Sequence, residues 1–182
     1  MFGEGDCVSV FEEGPMWESY LERDEYEWGG RLRFKARSGS LLLNVERGRR
    51  SGRGAERYCE ACEGGVQETV EHFVLDCPAY AAMRDKCSSL LKTVCEEDDV
   101  GSVSDVWCSD VNSHRISVVL GDCTRYIVCA VRDEREIVAV ARKIRIMSNH
   151  FLNAIWDERK NIFYSGLVFT SEAQKPRSGS AA

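Results

Sequence analysis

The chain has 182 residues, 43% of them hydrophobic, with nine cysteines, three histidines and a formal net charge of −6. That length suffices for one domain with a real core and argues against a second full domain. No apolar run approaches the roughly 18 residues of a membrane span. The N-terminus, MFGEGDCVSVFEEG, has neither a basic start nor an apolar core, and the cysteine count is odd; together these predict a reduced, intracellular protein, nuclear or cytoplasmic and not secreted.

Residues 1–15 are rich in glycine and acid and end at Pro15, which predicts a disordered acidic leader. From Met16 to Trp28, the residues Met16, Trp17, Tyr20, Leu21 and Tyr26 recur at helical spacing, so a short amphipathic helix is expected, stopped by Gly29-Gly30. In Arg31 to Val45 apolar and basic residues alternate, and the stretch reads either as an extended arm or as a second helix. Residues 46–57, ERGRRSGRGAER, read as a flexible basic loop. Charge is strongly segregated: residues 31–57 hold Arg31, Arg33, Lys35, Arg37, Arg47, Arg49, Arg50, Arg53 and Arg57 against Glu46 and Glu56, a net of +7, leaving −13 for the remainder. These nine cations are the candidate nucleic-acid contacts, through phosphate. The plainer alternative is a solvated face.

The stretch Tyr58–Tyr80, YCEACEGGVQETVEHFVLDCPAY, organises the rest. Cys59 and Cys62 form a C-x2-C knuckle, and His72 and Cys77 complete a CCHC set. Three thiolates and an imidazole satisfy the tetrahedral preference of Zn(II) and leave no position for water, so the expected cofactor is one structural zinc ion. Gly64-Gly65 lets the chain turn away after the knuckle. On one α-helix, residues five apart lie about 140° round the axis, too far to share a metal easily. A short helix over Thr69 to Leu75 is therefore expected to carry His72 and to break, with Pro78 pushing Cys77 out of helical geometry. Three ordinary buried cysteines and a core histidine are the bland alternative.

After Pro78, Tyr80, Met83, Cys87, Leu90, Leu91 and Val94 define one face of a clear helix, ending at EEDDVG. Asp98-Asp99 has no flanking strands, which argues for a solvated acidic linker and against a polymerase carboxylate pair. Ser104 to Val119 reads as a helix capped by Ser102 or Ser104 and interrupted near Asn112-Ser113, with Val106, Trp107 and Val111 in the core. Tyr126 to Ile162 reads as a long helix with a break near Asp133-Glu134. The remaining thiols, Cys7, Cys87, Cys95, Cys108, Cys123 and Cys129, are expected to be buried and reduced, and His114 and His150 to face solvent. The predicted fold is mainly α, a small helical domain around a CCHC zinc knuckle with disordered termini. Its divisions are 1–15, 16–57, 58–97, 98–165 and a disordered tail at 166–182.

Three segments, RLRFKARSGSLLLNVERGRR, ETVEHFVLDCPAY and FLNAIWDERK, together resemble the zinc-binding tail beyond the polymerase in reverse transcriptases of non-LTR (LINE-type) retrotransposons. The resemblance spans roughly residues 17–160 and is strongest over 31–80. It implies Cys59, Cys62, His72 and Cys77 as metal ligands, a helix at Arg31 passing into a loop at Ser38-Gly39-Ser40, and a nucleic-acid partner, RNA or DNA. No polymerase carboxylate motif is embedded in strands, and no Pro-Asp nuclease signature follows the knuckle, so no enzyme activity is expected: the chain reads as a retrotransposon-derived fragment. A zinc-stabilised helical adaptor that contacts another protein is the alternative. A zinc hydrolase using Glu71 is the weakest reading, since it needs an open metal position.

Overall fold

The computed structural model describes residues 27–52, 57–62, 64–121 and 123–172, with side chains described up to residue 163. The predicted leader, most of the helix expected over 16–28, Arg53, Cys7 and residues 173–182 of the predicted tail lie outside the described residues; residues 166–172, expected to be disordered, continue the last helix, which runs on without a proline to break it. The described chain is mainly helical. Helices α1 (Glu27–Arg37) and α2 (Asn44–Ser51) precede a π-helical turn (His72–Asp76) and a 3-10 turn (Pro78–Tyr80). Five further helices follow: α3 (Ala81–Glu97), α4 (Gly101–Trp107), α5 (Asn112–Leu120), α6 (Thr124–Ile127) and α7 (Glu134–Glu172). Among the described residues the sole β pairing is an isolated antiparallel bridge between Tyr58 and Gln67. None of their helices is long and apolar enough to cross a membrane.

Helix α7 is the spine, with α1, α3, α5 and α6 packed along it. Its inward stripe, Val140, Ile144, Met147, Phe151, Leu152 and Ile155, is buried, as expected of apolar residues recurring every three or four positions. It begins where the sequence predicted a break: Asp133 Oδ1 accepts from the backbone N–H of Arg135 (2.9 Å) and Glu136 (3.1 Å), an N-cap that satisfies two otherwise orphaned donors.

Gly29-Gly30 does not stop a helix. Helix α1 runs straight through it, because Gly29 lies at the crossing with α7: a Cβ there would sit 2.6 Å from Asn149 Cβ and 2.7 Å from its carbonyl oxygen. The pair permits close approach. The helix at Arg31 and the loop at Ser38-Gly39-Ser40 are found as expected, and Ser38 Oγ and Ser40 Oγ lie 2.7 Å apart within that loop. The supposed basic loop is corrected in its first half, where Asn44–Ser51 is helical. Its helix start is capped from far along the chain, by Glu68, which spacing within 46–57 does not reveal.

The interruption between α4 and α5 falls near its predicted place, but α4 starts at Gly101 without a side-chain cap. Ser102 Oγ instead donates to the Tyr126 carbonyl at 2.7 Å. Trp107 is buried with its indole N–H on Ser88 Oγ (2.8 Å), whereas Val111 is exposed in the turn before α5. On α3, Cys87 and Leu91 are buried but Leu90 is exposed. Asp98 is no free linker carboxylate, since Lys143 Nζ on α7 donates to its two oxygens at 2.7 and 2.8 Å. Cys87, Cys95 and Cys123 are buried as expected, but Cys108 and Cys129 are exposed, each in a turn at a helix end with no packed face to cover it.

Candidate metal centre

The cluster is assembled by two local devices. The first is a narrow hairpin: Cys59 N–H donates to the Val66 carbonyl (2.8 Å) and Glu68 N–H to the Arg57 carbonyl (2.9 Å), with Gly65 at φ 59° in the left-handed region that closes the turn. This places Cys59 and Cys62 on the inner side of the knuckle. The second is the helical turn that carries His72. Thr69 Oγ1 accepts the His72 N–H at 3.1 Å and starts the turn. It then widens, Cys77 N–H reaching the His72 carbonyl at 2.7 Å across five residues. The helix carrying His72 ends before Cys77 as expected, one residue later than predicted, and what differs is its kind: the last turn is π-helical. In a π turn five residues come close to completing one revolution, which helps bring both side chains to the same side. Cys77 itself has left helical geometry, at φ −59° and ψ 119°, as its position before Pro78 requires.

The ligand atoms of Cys59, Cys62, His72 and Cys77 all lie within 4.8 Å of one another. Cys59 and Cys77 Sγ are 3.8 Å apart and Cys62 Sγ is 3.4 Å from His72 Nε2. A tetrahedron with metal–sulfur bonds of about 2.3 Å and metal–nitrogen bonds of about 2.0 Å has S···S edges near 3.8 Å and S···N edges near 3.5 Å, so these separations fit one shared ion. A disulfide needs sulfurs about 2.05 Å apart, and the cysteines are free thiols. Cys59, His72 and Cys77 are buried and Cys62 is partly exposed.

Electrostatics favour a cation here. Burial pushes the Cys59 thiol up to about 12, with the nearby Cys77 adding to the rise, and burial likewise raises Cys77. Neither thiolate is comfortable in this site without a positive partner. Burial lowers His72, against the opposing pull of Asp76 and Glu68, which favours the neutral imidazole that a metal requires. Two buried donors beside the cluster also lack an acceptor. The Tyr80 hydroxyl, on a fully buried ring, and Arg84 Nη1 make no hydrogen bond, and both groups interact electrostatically with Cys77. Metal-bound thiolates would give them one. The residues present therefore fit a metal ion.

Behind the ligands lies a buried polar lock absent from the sequence reading. Glu68 and Arg159 are almost wholly inaccessible, and Arg159 Nε and Nη2 donate to Glu68 Oε1 and Oε2 at 2.7 and 2.8 Å. Glu68 Oε2 also accepts the Asn44 N–H at 2.6 Å, and Asn44 Nδ2 donates to the Tyr58 carbonyl at 2.7 Å. The Arg159 guanidinium carbon lies 4.5 Å from the Phe163 ring centroid and 5.2 Å from that of Trp156. Phe73 of the π turn meets Trp156 and Tyr80 edge-on, at 6.1 and 5.3 Å. A sequence signal for Arg159 existed: it lies four residues after Ile155 and seven after Leu152, on the apolar stripe of α7, where a cation requires a buried partner.

The basic candidates divide. Arg31, Lys35 and Arg37 are exposed on α1, as are Arg47, Arg49 and Arg50 on α2, while Arg57 is half-buried beside the knuckle. Lys35 Nζ lies 5.5 Å over Trp28, Arg47 packs 5.9 Å from Phe163, and Arg49 pairs with Glu46. Arg33 is corrected: it is 3% exposed and its Nη2 donates to the Arg145 carbonyl at 3.0 Å, because it falls on the inner face of α1. It is not placed to meet a phosphate. His114 and His150 are exposed, as expected.

Compared with protein-family models, curated proteins and solved structures, the chain finds no match.

Proposed function

We propose that the chain is a zinc-organised helical module that binds nucleic acid through phosphate, in the manner of the zinc-binding tail of non-LTR reverse transcriptases that its sequence resembles. The observation that carries the reading is the convergence of four ligand atoms from Cys59, Cys62, His72 and Cys77 within 4.8 Å of one another, at spacings compatible with one ion. With three sulfurs and one imidazole, the donor set suits Zn(II), and four protein ligands leave no open position, so the ion's role is structural and no catalytic step is assigned. The exposed cations on α1 and α2 support a polyanionic partner, RNA or DNA, with Arg53 and Arg57 as further candidates.

Native mass spectrometry of the zinc-loaded chain should show one ion per chain, and the absence of metal at stoichiometric zinc would overturn the reading. In a binding titration, log affinity should fall with log salt at about 0.7 to 0.9 per phosphate contact, and Arg49→Ala with Arg50→Ala should remove up to two contacts' worth of slope. A protein-binding adaptor is the second reading. It is favoured by the net charge of −6 and by an apolar groove of about 250 Å³ between α3 and α7, lined by Met83, Leu90, Met147 and Phe151. No binding of nucleic acid at low salt would put it first.

A further inference from the structure

From the hydrogen bonds that join the knuckle to α2, we infer that metal occupancy governs the order of the basic helix α2, with Asn44 as the link. The coupling stands on its own contacts. Its consequence for nucleic-acid binding rests on the function proposed above.

Helix α2 has little to hold it. It is eight residues long, buries only Asn44 and Gly48, and its N-cap residue Leu43 makes no side-chain cap bond. Helices of this length are not stable alone in water, and its Arg49–Glu46 pair is exposed on the arginine side. Besides the buried Leu43 and the packing of Arg47 on Phe163, what anchors it is its first residue. The Asn44 N–H, one of the orphan donors of the helix start, is taken by Glu68 Oε2 at 2.6 Å. The Asn44 side chain donates to the Tyr58 carbonyl at 2.7 Å and to Glu60 Oε1 at 3.3 Å. One residue therefore grips both limbs of the knuckle. Tyr58 and Glu60 flank the ligand Cys59, and Glu68 lies four residues before the ligand His72.

The knuckle cannot hold that geometry unaided. It has one bridge, and a two-stranded hairpin is marginal in water even when longer. Arg159 fixes Glu68 to α7 and also donates to Asn44 Oδ1 at 3.4 Å, but Tyr58 and Glu60 are placed by that short hairpin and by the turn that the C-x2-C ligands close. Metal binding sets that turn, the turn sets the acceptors of Asn44, and Asn44 sets the start of α2, which carries Arg47, Arg49 and Arg50. Linkage makes the effect reciprocal: loosening α2 must weaken metal binding by the same factor.

Hydrogen exchange on the full chain, zinc-loaded and after chelation, tests this. The amides of α2 should exchange roughly 5- to 150-fold faster without zinc, the usual span of a coupling between sites, while those of Leu91 and Val119 in the helical core keep their protection. Equal α2 exchange in both states, or loss of protection spread evenly through α3 and α5, would overturn the inference. Asn44→Ala leaves all four ligands in place. It should speed α2 exchange with one zinc still bound and raise the zinc dissociation constant, measured by chelator competition, by the same factor as the exchange change. An Asn44→Ala chain with unchanged α2 exchange or unchanged zinc affinity would also overturn it. In parallel, labelled oligothymidylate should bind the loaded wild type more tightly than Asn44→Ala. If the loaded wild type binds no oligonucleotide while the exchange results hold, the nucleic-acid reading fails and the coupling stands.

Discussion

The knuckle, residues 57–80, and the α3–α7 face of the helical core differ in what holds them. Along α3 and α7, Cys87, Leu91, Ile144, Phe151 and Leu152 are buried, and apolar burial supplies most of the stabilisation. Around the knuckle, Phe73, Val74, Leu75 and Tyr80 are buried too, but beside them lie thiols, an imidazole, a carboxylate and a guanidinium, each costly to bury without a partner. The comparison teaches that one molecule can contain a region packed mainly from apolar side chains and another whose buried polar groups call for partners: a salt bridge reaching 91 residues along the chain and, on the function proposed above, an ion.

Breaking the conditional region should give the largest effect. Cys77→Ser removes a fully buried ligand and forfeits part of a metal-binding free energy that is on the order of 10 kcal/mol in small zinc modules. Native mass spectrometry should show the ion lost, with circular dichroism retaining most of the helix signal. Arg159→Ala comes next, because it leaves Glu68 charged and alone in the interior, at a cost of about 3–5 kcal/mol in denaturant unfolding. Ile144→Ala probes the other region, with an expected loss of about 2–5 kcal/mol and unchanged zinc affinity. Chelator competition checks the second half of that statement. The smallest effect belongs to Gly29→Ala, where the added methyl must push α1 from the Asn149 backbone, for about 1–3 kcal/mol. A neutral or stabilising result there would show that the helix crossing yields more easily than its spacing suggests.

Much of this was legible beforehand. The grouping of Cys59, Cys62, His72 and Cys77 was readable because cysteine and histidine at knuckle spacing have few other uses. The breaks at Asp133 and near Asn112 were readable because caps and turn residues act locally. What escaped depended on distant partners. Helix α2 was taken for a loop because its cap, Glu68, lies 24 residues away. Gly29-Gly30 was taken for a stop because glycine at a helix crossing and glycine at a helix end look alike until the crossing partner is known. Arg33 was grouped with surface cations since nothing in an alternating Arg-Leu-Arg-Phe-Lys run says which side of a helix faces α7. The Glu68–Arg159 pair joins two segments 91 residues apart, and neither segment announces the other.

The wide turn at His72 also bears on how such centres tolerate insertions and deletions. A metal reads how far the backbone has rotated between two ligands and is indifferent to how many residues accomplish it. Four residues of ordinary α-helix and five of π-helix both complete about one revolution, which predicts that H-x3-C can stand in for H-x4-C at this position. Deleting Leu75 should therefore let the turn relax to ordinary α-helix with the ion retained, while rotating Phe73 and Val74 relative to α7. The damage would register in the aromatic packing against Trp156, measurable as lost tryptophan environment, before it registered in zinc content.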